Sequence, residues 1–345
     1  MMLMFFGADF HLHYRQYKKD ERINDFLSST HFLLDHAIKR GAKVIIIGGD
    51  LWNSKQLNAD ALEEAENLLK TIPDNVPIII IPGNHDDPDW IEYLSTHLDN
   101  VYDIDKEMFE FENVRFYGVG YKPRGIKEEH LPEPDPQFDG INVLILHTAI
   151  DLGLFPVYGK YLCKDCVDTL VDKWDYILVG HVHIPFVEYN KIFSPGAPER
   201  CSFAELDHNG GGWLIDTKGK RFEHIESTKR PMFEFNENVD FTATSNLCKD
   251  DIEGAIVRVI ITGERLDPLD ISKLEERFSS ALVCKILNRS IQKKQESDVD
   301  SKSGKDKLAE DIFSQHMSNE RFTTLIELRN ARRIGRDTCD YWSDD

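Results

Sequence analysis

Cysteine is scarce: six residues in 345, with no regular spacing. That excludes a disulfide-stapled scaffold and suits a reduced compartment. Cys163 and Cys166 form the one close pair, and no second pair stands at zinc-finger spacing. The stretch 160–173 reads as helical, so the two are expected to be helix residues one turn apart rather than a redox or zinc site. Long apolar runs are also missing; none approaches the roughly 18 residues a membrane-spanning helix needs. The apolar opening, Met1 to Phe6, has no charged segment before it and no cleavage site after it. It reads as a first strand and not as a secretion signal, so a cytoplasmic protein is expected. Positive charge is in deficit: 41 Lys and Arg against 61 Asp and Glu, a net charge of −20. That excludes general, sequence-blind attraction to nucleic acid but leaves room for local basic tracks. Arg15, Lys18, Lys19 and Arg22 form one such cluster, and Lys122, Arg124 and Lys127 another. Each is read first as a solvated face.

A hydrophobic fraction of 41% readily supplies a core. The first third alternates strands and helices. Apolar runs at Leu3 to Phe6, Val44 to Ile47 and Ile78 to Ile81 read as buried strands. Helical periodicity covers about 21–40 and 59–72, and Pro88 and Asp89 open a third helix near 89–98. This alternation predicts right-handed crossovers and a mainly parallel sheet. Beyond it the pattern turns β-rich, with strands expected at 114–119, 141–146, 186–193, 213–216 and 221–225. These suggest a second sheet packed on the first. Gly210 to Gly212 reads as a tight turn. A boundary near Arg230-Pro231 divides a main domain, 1–230, from a small α+β unit, 231–290. That unit should hold a strand at 255–262, a helix at 270–282 and a strand at 283–287. A charged, Ser-rich linker follows at 291–307, and then a helical tail within 308–345, with an apolar side near 308–334. No internal repeat is visible.

Five short phrases stand in order, each just after an apolar run: Asp9-Phe10-His11, Gly49-Asp50, Gly83-Asn84-His85-Asp86, His147, and Gly180-His181-Val182-His183. Singly, each reads as turn or cap chemistry. Together they bring Asp, Asn and His off several strands at one end, where open α/β sheets bind ligands. The mixture suits two divalent cations: an anionic carboxylate such as Asp50 to lie between them, imidazoles and an amide oxygen around them, and open positions for water and phosphate oxygens. No thiolate enters the set, which argues against a closed structural zinc site. Most of the eight histidines outside the phrases are expected to be structural.

The series DxH…GD…GNHD…H…GHVH resembles the signature of the calcineurin-like metallophosphoesterases. Within them, three further stretches are similar to the SbcD-type nuclease subunits of double-strand-break repair: 11–17 (HLHYRQY), 49–53 (GDLWN) and 194–200 (SPGAPER). The resemblance covers about 1–228. It implies a two-sheet α/β sandwich flanked by helices, with a small α+β capping domain. It assigns Asp9, His11, Asp50 and His183 to one cation and Asp50, Asn84, His147 and His181 to the other, with Asp50 bridging. His85 falls in the place of the general acid; the alternative is a histidine that only hydrogen-bonds Asp9 or a nearby carboxylate. Asp86 is expected in a supporting turn. Tyr14, Arg15 and Arg200 are candidate substrate contacts. The implied cations are Mn2+, with Fe2+ or Zn2+ as alternatives, and the implied activity is cleavage of DNA at broken ends. The implied partners are an SbcC-type SMC-like ATPase, bound through the tail, and a second copy of the chain, paired through helices such as 59–72 and 89–98. In a prokaryote the protein would be nucleoid-associated. His13 stands where the family pattern has glycine, so the loop beside the first cation is expected to differ in shape. Two other readings stay open: a phosphodiesterase or phosphatase of small substrates on the same fold, and a DNA-end tether whose catalysis is secondary.

Overall fold

The computed structural model describes residues 2–153, 161–238, 252–265 and 271–292. The linker and the tail lie outside the described residues. The first half runs β1 (Leu3–Gly7), α1 (Asp20–Lys39), β2 (Val44–Ile47), α2 (Ala59–Leu69), β3 (Ile78–Ile80), α3 (Pro88–His97), β4 (Val101–Asp103), β5 (Met108–Phe111), β6 (Val114–Val119) and β7 (Ile141–His147). Then come the short strands β8 (Ala149–Ile150) and β9 (Tyr161–Leu162), α4 (Lys164–Lys173), β10 (Tyr176–Gly180), β11 (Phe186–Glu188), β12 (Ile192–Ser194), β13 (Gly211–Asp216) and β14 (Arg221–Glu226). After residue 230 follow β15 (Met232–Asn238), β16 (Ile256–Thr262), β17 (Glu264–Arg265), α5 (Ser272–Arg277), β18 (Val283–Asn288) and β19 (Ile291–Gln292).

Two six-stranded sheets result, in the orders β14-β13-β1-β2-β3-β4 and β11-β12-β10-β7-β6-β5. Strands β1 to β4 are mutually parallel, as are β6, β7, β10 and β12. Successive side chains leave a strand on opposite faces, and the burial follows that rule. Met4, Phe6, Val44, Ile46 and Ile79 meet Val143, Ile145, Leu178 and Phe193 between the sheets. Phe5, Ile45, Ile47, Ile78 and Ile80 face the other way, onto Leu33, Leu34, Leu68, Leu69 and Ile91 of the helices. Leu144, Leu146, Ile177 and Val179 turn outward onto Val167 and Leu170 of α4. A parallel strand covered on both faces has no polar side, so it appears as an unbroken apolar run. The expected sandwich with flanking helices is the observed fold.

Four expectations need correction. The run 186–193 is not one strand but the hairpin β11–β12, turned by Tyr189 and Asn190 with φ of +55° and +54°. Gly211 and Gly212 are strand residues paired with Glu226 and Ile225, and glycine stands at 212 because a side chain there would collide with the Phe5 ring. The helix expected from 160 starts at Lys164, since Tyr161 and Leu162 pair with Ala149 and Ile150. The helix expected over 270–282 spans only Ser272–Arg277. Beyond residue 230, β15, β16 and β18 form a parallel three-stranded sheet over a cluster of its own that includes Val257, Val259, Ile261 and Phe278.

Arg22 is not on a solvated face. It is fully buried, with Nε donating to Gln16 (2.8 Å), Nη1 to Asp25 (2.7 Å) and Nη2 to the Arg200 carbonyl (3.0 Å). Nη2 also lies 3.3 Å from Glu199, itself buried. Asp25 is shared with Arg230 (2.5 and 2.7 Å), whose amide donates to Glu199 at 2.9 Å. The network joins α1, the loop before β13 and the entry to β15. Arg22→Ala would strand the Glu199 carboxylate without its cation, and breaking a buried pair from one side costs about 3–5 kcal/mol. A urea unfolding midpoint should show that loss; a drop below about 1 kcal/mol would mean water replaces the guanidinium.

Candidate metal centre

The residues of the five phrases meet at the C-terminal ends of β1, β2, β3, β7 and β10. The loops after β1 and β2 stay paired past the strands: Asp9 N donates to Gly49 O, His11 N to Asp50 O (both 3.0 Å) and Leu12 N to Leu51 O (2.8 Å). That continuation bends the backbone hard. Asp9, His11, His13, Asp50 and His181 all have left-handed φ, between +46° and +85°, a conformation that costs non-glycine residues energy and gathers at functional sites. His13 has φ +61°, so the place where the family pattern has glycine demands a left-handed residue. Its ring reaches Glu64 on α2, with Nδ1 3.6 Å from Oε2. Two glycines permit the closeness of the rest. A Cβ on Gly49, which has φ +94°, would strike the His147 ring, and one on Gly83 would land on the Asp50 carboxylate.

The side chains fall into two groups about Asp50. On one side His11 Nε2 and His183 Nε2 are 3.2 Å apart, and His183 Nε2 is 3.8 Å from Asp9 Oδ1. On the other, Asn84 Oδ1 lies 2.7 Å from His181 Nδ1 and 3.2 Å from His147 Nε2. Asp50 Oδ2 is 3.4 Å from His147 Nε2 and 3.9 Å from His11 Nε2, while Oδ1 accepts the His85 amide at 2.8 Å. All seven expected ligands are thus brought together. His85 is close by, its ring centroid 5.0 Å from that of His11 and its Nδ1 2.9 Å from the Asn53 carbonyl. Its ring hydrogen-bonds that carbonyl and not a carboxylate, although its backbone amide serves Asp50. Asp86 is buried and accepts from the amides of Gly83 (2.8 Å), Trp52 (3.0 Å) and Leu51 (3.3 Å). It ties the β2 and β3 loops together.

Supporting partners fix the rings. His147 Nδ1 is 2.8 Å from Gly48 O, and His183 Nδ1 is 3.1 Å from Glu205 Oε1, so each Nε2 turns inward. Sequence reasoning missed Glu205, which ends a single 3-10 turn, Phe203–Glu205, between β12 and β13 and belongs to none of the motifs. It also missed Tyr121, whose ring is 5.8 Å from His181 and 6.4 Å from His147, and Cys201, whose sulfur falls in one group with His11 and His183. Burial pushes the Cys201 thiol up, against the lowering effect of His183. The candidate substrate contacts are less gathered. Tyr14 packs on Phe26 at 5.3 Å, and burial raises its hydroxyl pKa. Exposed Arg15 pairs with Asp20 at 2.5 Å. Arg200 lends its carbonyl to Arg22, and its own Nε is buried without a hydrogen-bond partner.

The electrostatics match a site built for cations. Burial raises Asp9 to about 6. Burial also opposes ionisation of Asp50, but His147, His11 and the His85 amide outweigh it and hold that carboxyl well below the usual range. Burial alone would lower His147; Asp50, Asp9 and the Gly48 carbonyl instead raise it to about 9. His181 is lowered to about 4 by burial, then by its cationic neighbour His147. Buried His11 Nδ1 has no hydrogen-bond partner. Carboxylate, amide and imidazole groups therefore converge in a largely buried place, neighbouring ligand atoms lying 2.7–3.9 Å apart. Divalent cations satisfy such a set, and hard oxygen with borderline nitrogen suits manganese, iron or zinc.

The sequence profile of the calcineurin-like phosphoesterases matches residues 6–185, just over half of the chain and every strand end described above. The chain belongs to that family. The phosphoesterase family uses a dinuclear centre of divalent cations, and the Asp, Asn and His set here fits one. Among curated relatives, the DNA double-strand break repair protein Mre11 of Saccharolobus solfataricus is 30% identical over 293 residues, covering 75% of this chain and 74% of that protein. The protein of the same name from Thermoplasma acidophilum is 28% identical over 239 residues, 64% of this chain and 61% of that one. That from Methanosarcina mazei is 25% identical over 307 residues, 81% of this phosphoesterase chain but only 48% of the relative. The match thus spans about half to three quarters of those proteins' lengths. Among the described residues no helix is long and apolar enough to cross a membrane.

Proposed function

We propose that this phosphoesterase hydrolyses phosphodiester bonds at DNA ends, as a nuclease of double-strand-break repair. One observation carries the chemistry: the Asp50 carboxylate stands between the His11–His183 and the Asn84–His147–His181 groups. Asp9, His11, Asp50 and His183 would hold one cation and Asp50, Asn84, His147 and His181 the other, with Asp50 shared. Bound there, two divalent cations supply an activated water and take up charge on the non-bridging phosphate oxygens. The chain's own groups do the rest. Asp50 sets the spacing of the two groups, and Gly48 and Glu205 keep the His147 and His183 rings aimed. His85, held by the Asn53 carbonyl, is placed to give a proton to the leaving oxygen. DNA as substrate is supported by the relatives named above, which act in break repair.

The partners follow the same reading. An SMC-like ATPase of the SbcC type would bind the tail beyond Lys307, and two copies would pair through α2 and α3. One experiment tests substrate and partner together. The full chain with manganese should shorten or nick end-labelled duplex DNA, and chelation should stop it. A chain ended at Lys307 should keep that basal activity and lose binding to the ATPase. Turnover of nucleotides or simple phosphodiesters without action on duplex DNA would favour the small-substrate reading. Loss of basal activity on truncation would mean that the tail packs on its own phosphoesterase body.

A further inference from the structure

Cys163 and Cys166 take no part in the centre described above, and their geometry departs from two helix residues merely one turn apart. Cys163 precedes α4 with extended backbone (φ −68°, ψ 160°), and Cys166 lies in the first turn of that ten-residue helix. The sulfurs are 2.9 Å apart, within about 0.9 Å of the ~2.05 Å of a disulfide. Cys163 is exposed, whereas Cys166 is half-buried and packs against the cluster between α4 and the second sheet. The first free amides of a helix face the residue before it and favour an anion there. The two thiols are also driven apart in acidity: the hydrogen bond between them lowers Cys163 and raises Cys166. One thiol is thus reachable and prone to ionise, and the other is sheltered and keeps its proton. Among the described residues no His, Asp, Glu or further Cys joins the pair within metal-ligand range, which disfavours a zinc site.

The place matters as well. α4 leads into β10 and packs along it, so its start lies at the C-terminal end of the parallel strands β7 and β10. That end carries His147, His181 and His183. Leu162, next to Cys163, pairs with Ile150, and its carbonyl accepts from Asp151 N at 2.9 Å. The pair therefore adjoins the strand that continues from His147.

We propose that Cys163 and Cys166 form a redox-active dithiol at the ligand end of the second sheet, one that exchanges with small disulfides of the glutathione class. The Cys163 thiolate attacks one sulfur of the small disulfide, whose S–S bond breaks and releases one thiolate to take up a proton. Cys166 then gives up its proton and attacks the Cys163 sulfur. A Cys163–Cys166 disulfide forms and the second small thiol departs. Two protein thiols are oxidised, one small disulfide is reduced, and no other oxidant is needed.

The full chain should be equilibrated across a series of reduced and oxidised glutathione, alkylated, and mapped by peptide mass. Cys163 and Cys166 should lose alkylation together in one two-electron transition. Cys166→Ser should trap a glutathione adduct on Cys163, while Cys163→Ser should form an adduct on Cys166 at least about tenfold more slowly, as exposure and thiolate fraction require. The proposal is overturned if both thiols stay alkylatable across the series. It is equally overturned if the two variants form adducts at the same rate.

Discussion

Asp50→Ala should leave the phosphoesterase unable to hold two divalent cations and slow phosphodiester hydrolysis by about 10³-fold or more, because cation stabilisation of the transition state is worth several kcal/mol. The reason is position as much as charge. Each other ligand belongs to one group, whereas Asp50 touches both: 3.9 Å to His11, 3.4 Å to His147, and a second oxygen on the His85 amide. Without it, two clusters of imidazoles face one another with no anion between them. His147 also loses the first of the attractive partners that raise its pKa, and with it the carboxylate contact at 3.4 Å that holds the ring beside the second group. Asp50→Asn keeps an oxygen acceptor but not the charge, so it should restore the hydrogen bond to His85 and little of the activity. Equilibrium dialysis with manganese measures the stoichiometry directly. Two equivalents bound by Asp50→Ala would refute the shared role.

Much of this centre was legible before any coordinates, for a physical reason. Its candidate ligands are Asp, Asn and His, the types such cations take whatever surrounds them, and they leave parallel strands that are apolar on both faces. Such strands announce themselves as runs like Val44 to Ile47, so Asp50 is marked from both sides. Elements that depend on distant partners were not legible. The Tyr161–Leu162 strand exists because Ala149 and Ile150 lie beside it, and nothing local distinguishes it from the first turn of α4. The Tyr189–Asn190 turn has no glycine although both residues are left-handed. Glu205 supports His183 from 22 residues away in the chain. Arg22 shows the limit most plainly. One basic residue among Arg15, Lys18 and Lys19 looks like surface, and only the arrival of Glu199 and Asp25 makes its burial tolerable.

His85→Ala should bind both cations as the parent does and cleave about 10²–10⁴-fold more slowly, the range for losing a positioned general acid. The competing role is real. His85 shares a potential ligand group with His11 and Asp50, their ligand atoms lying within 4.8 Å of one another. Its hydrogen bonding separates the two roles. Nδ1 is held by the Asn53 carbonyl at 2.9 Å, which leaves Nε2 as the atom that carries or gives up a proton. The backbone amide of His85 meanwhile serves Asp50, a contact that alanine keeps. An acid's contribution scales with how badly the leaving oxygen needs a proton. The deficit of His85→Ala should therefore be large on an alkyl or nucleotide leaving group and shrink toward parental rates on a p-nitrophenyl ester, whose phenolate leaves unaided. Loss of a cation, or an equal deficit on both esters, would make His85 a ligand and leave the departing oxygen to be protonated by water.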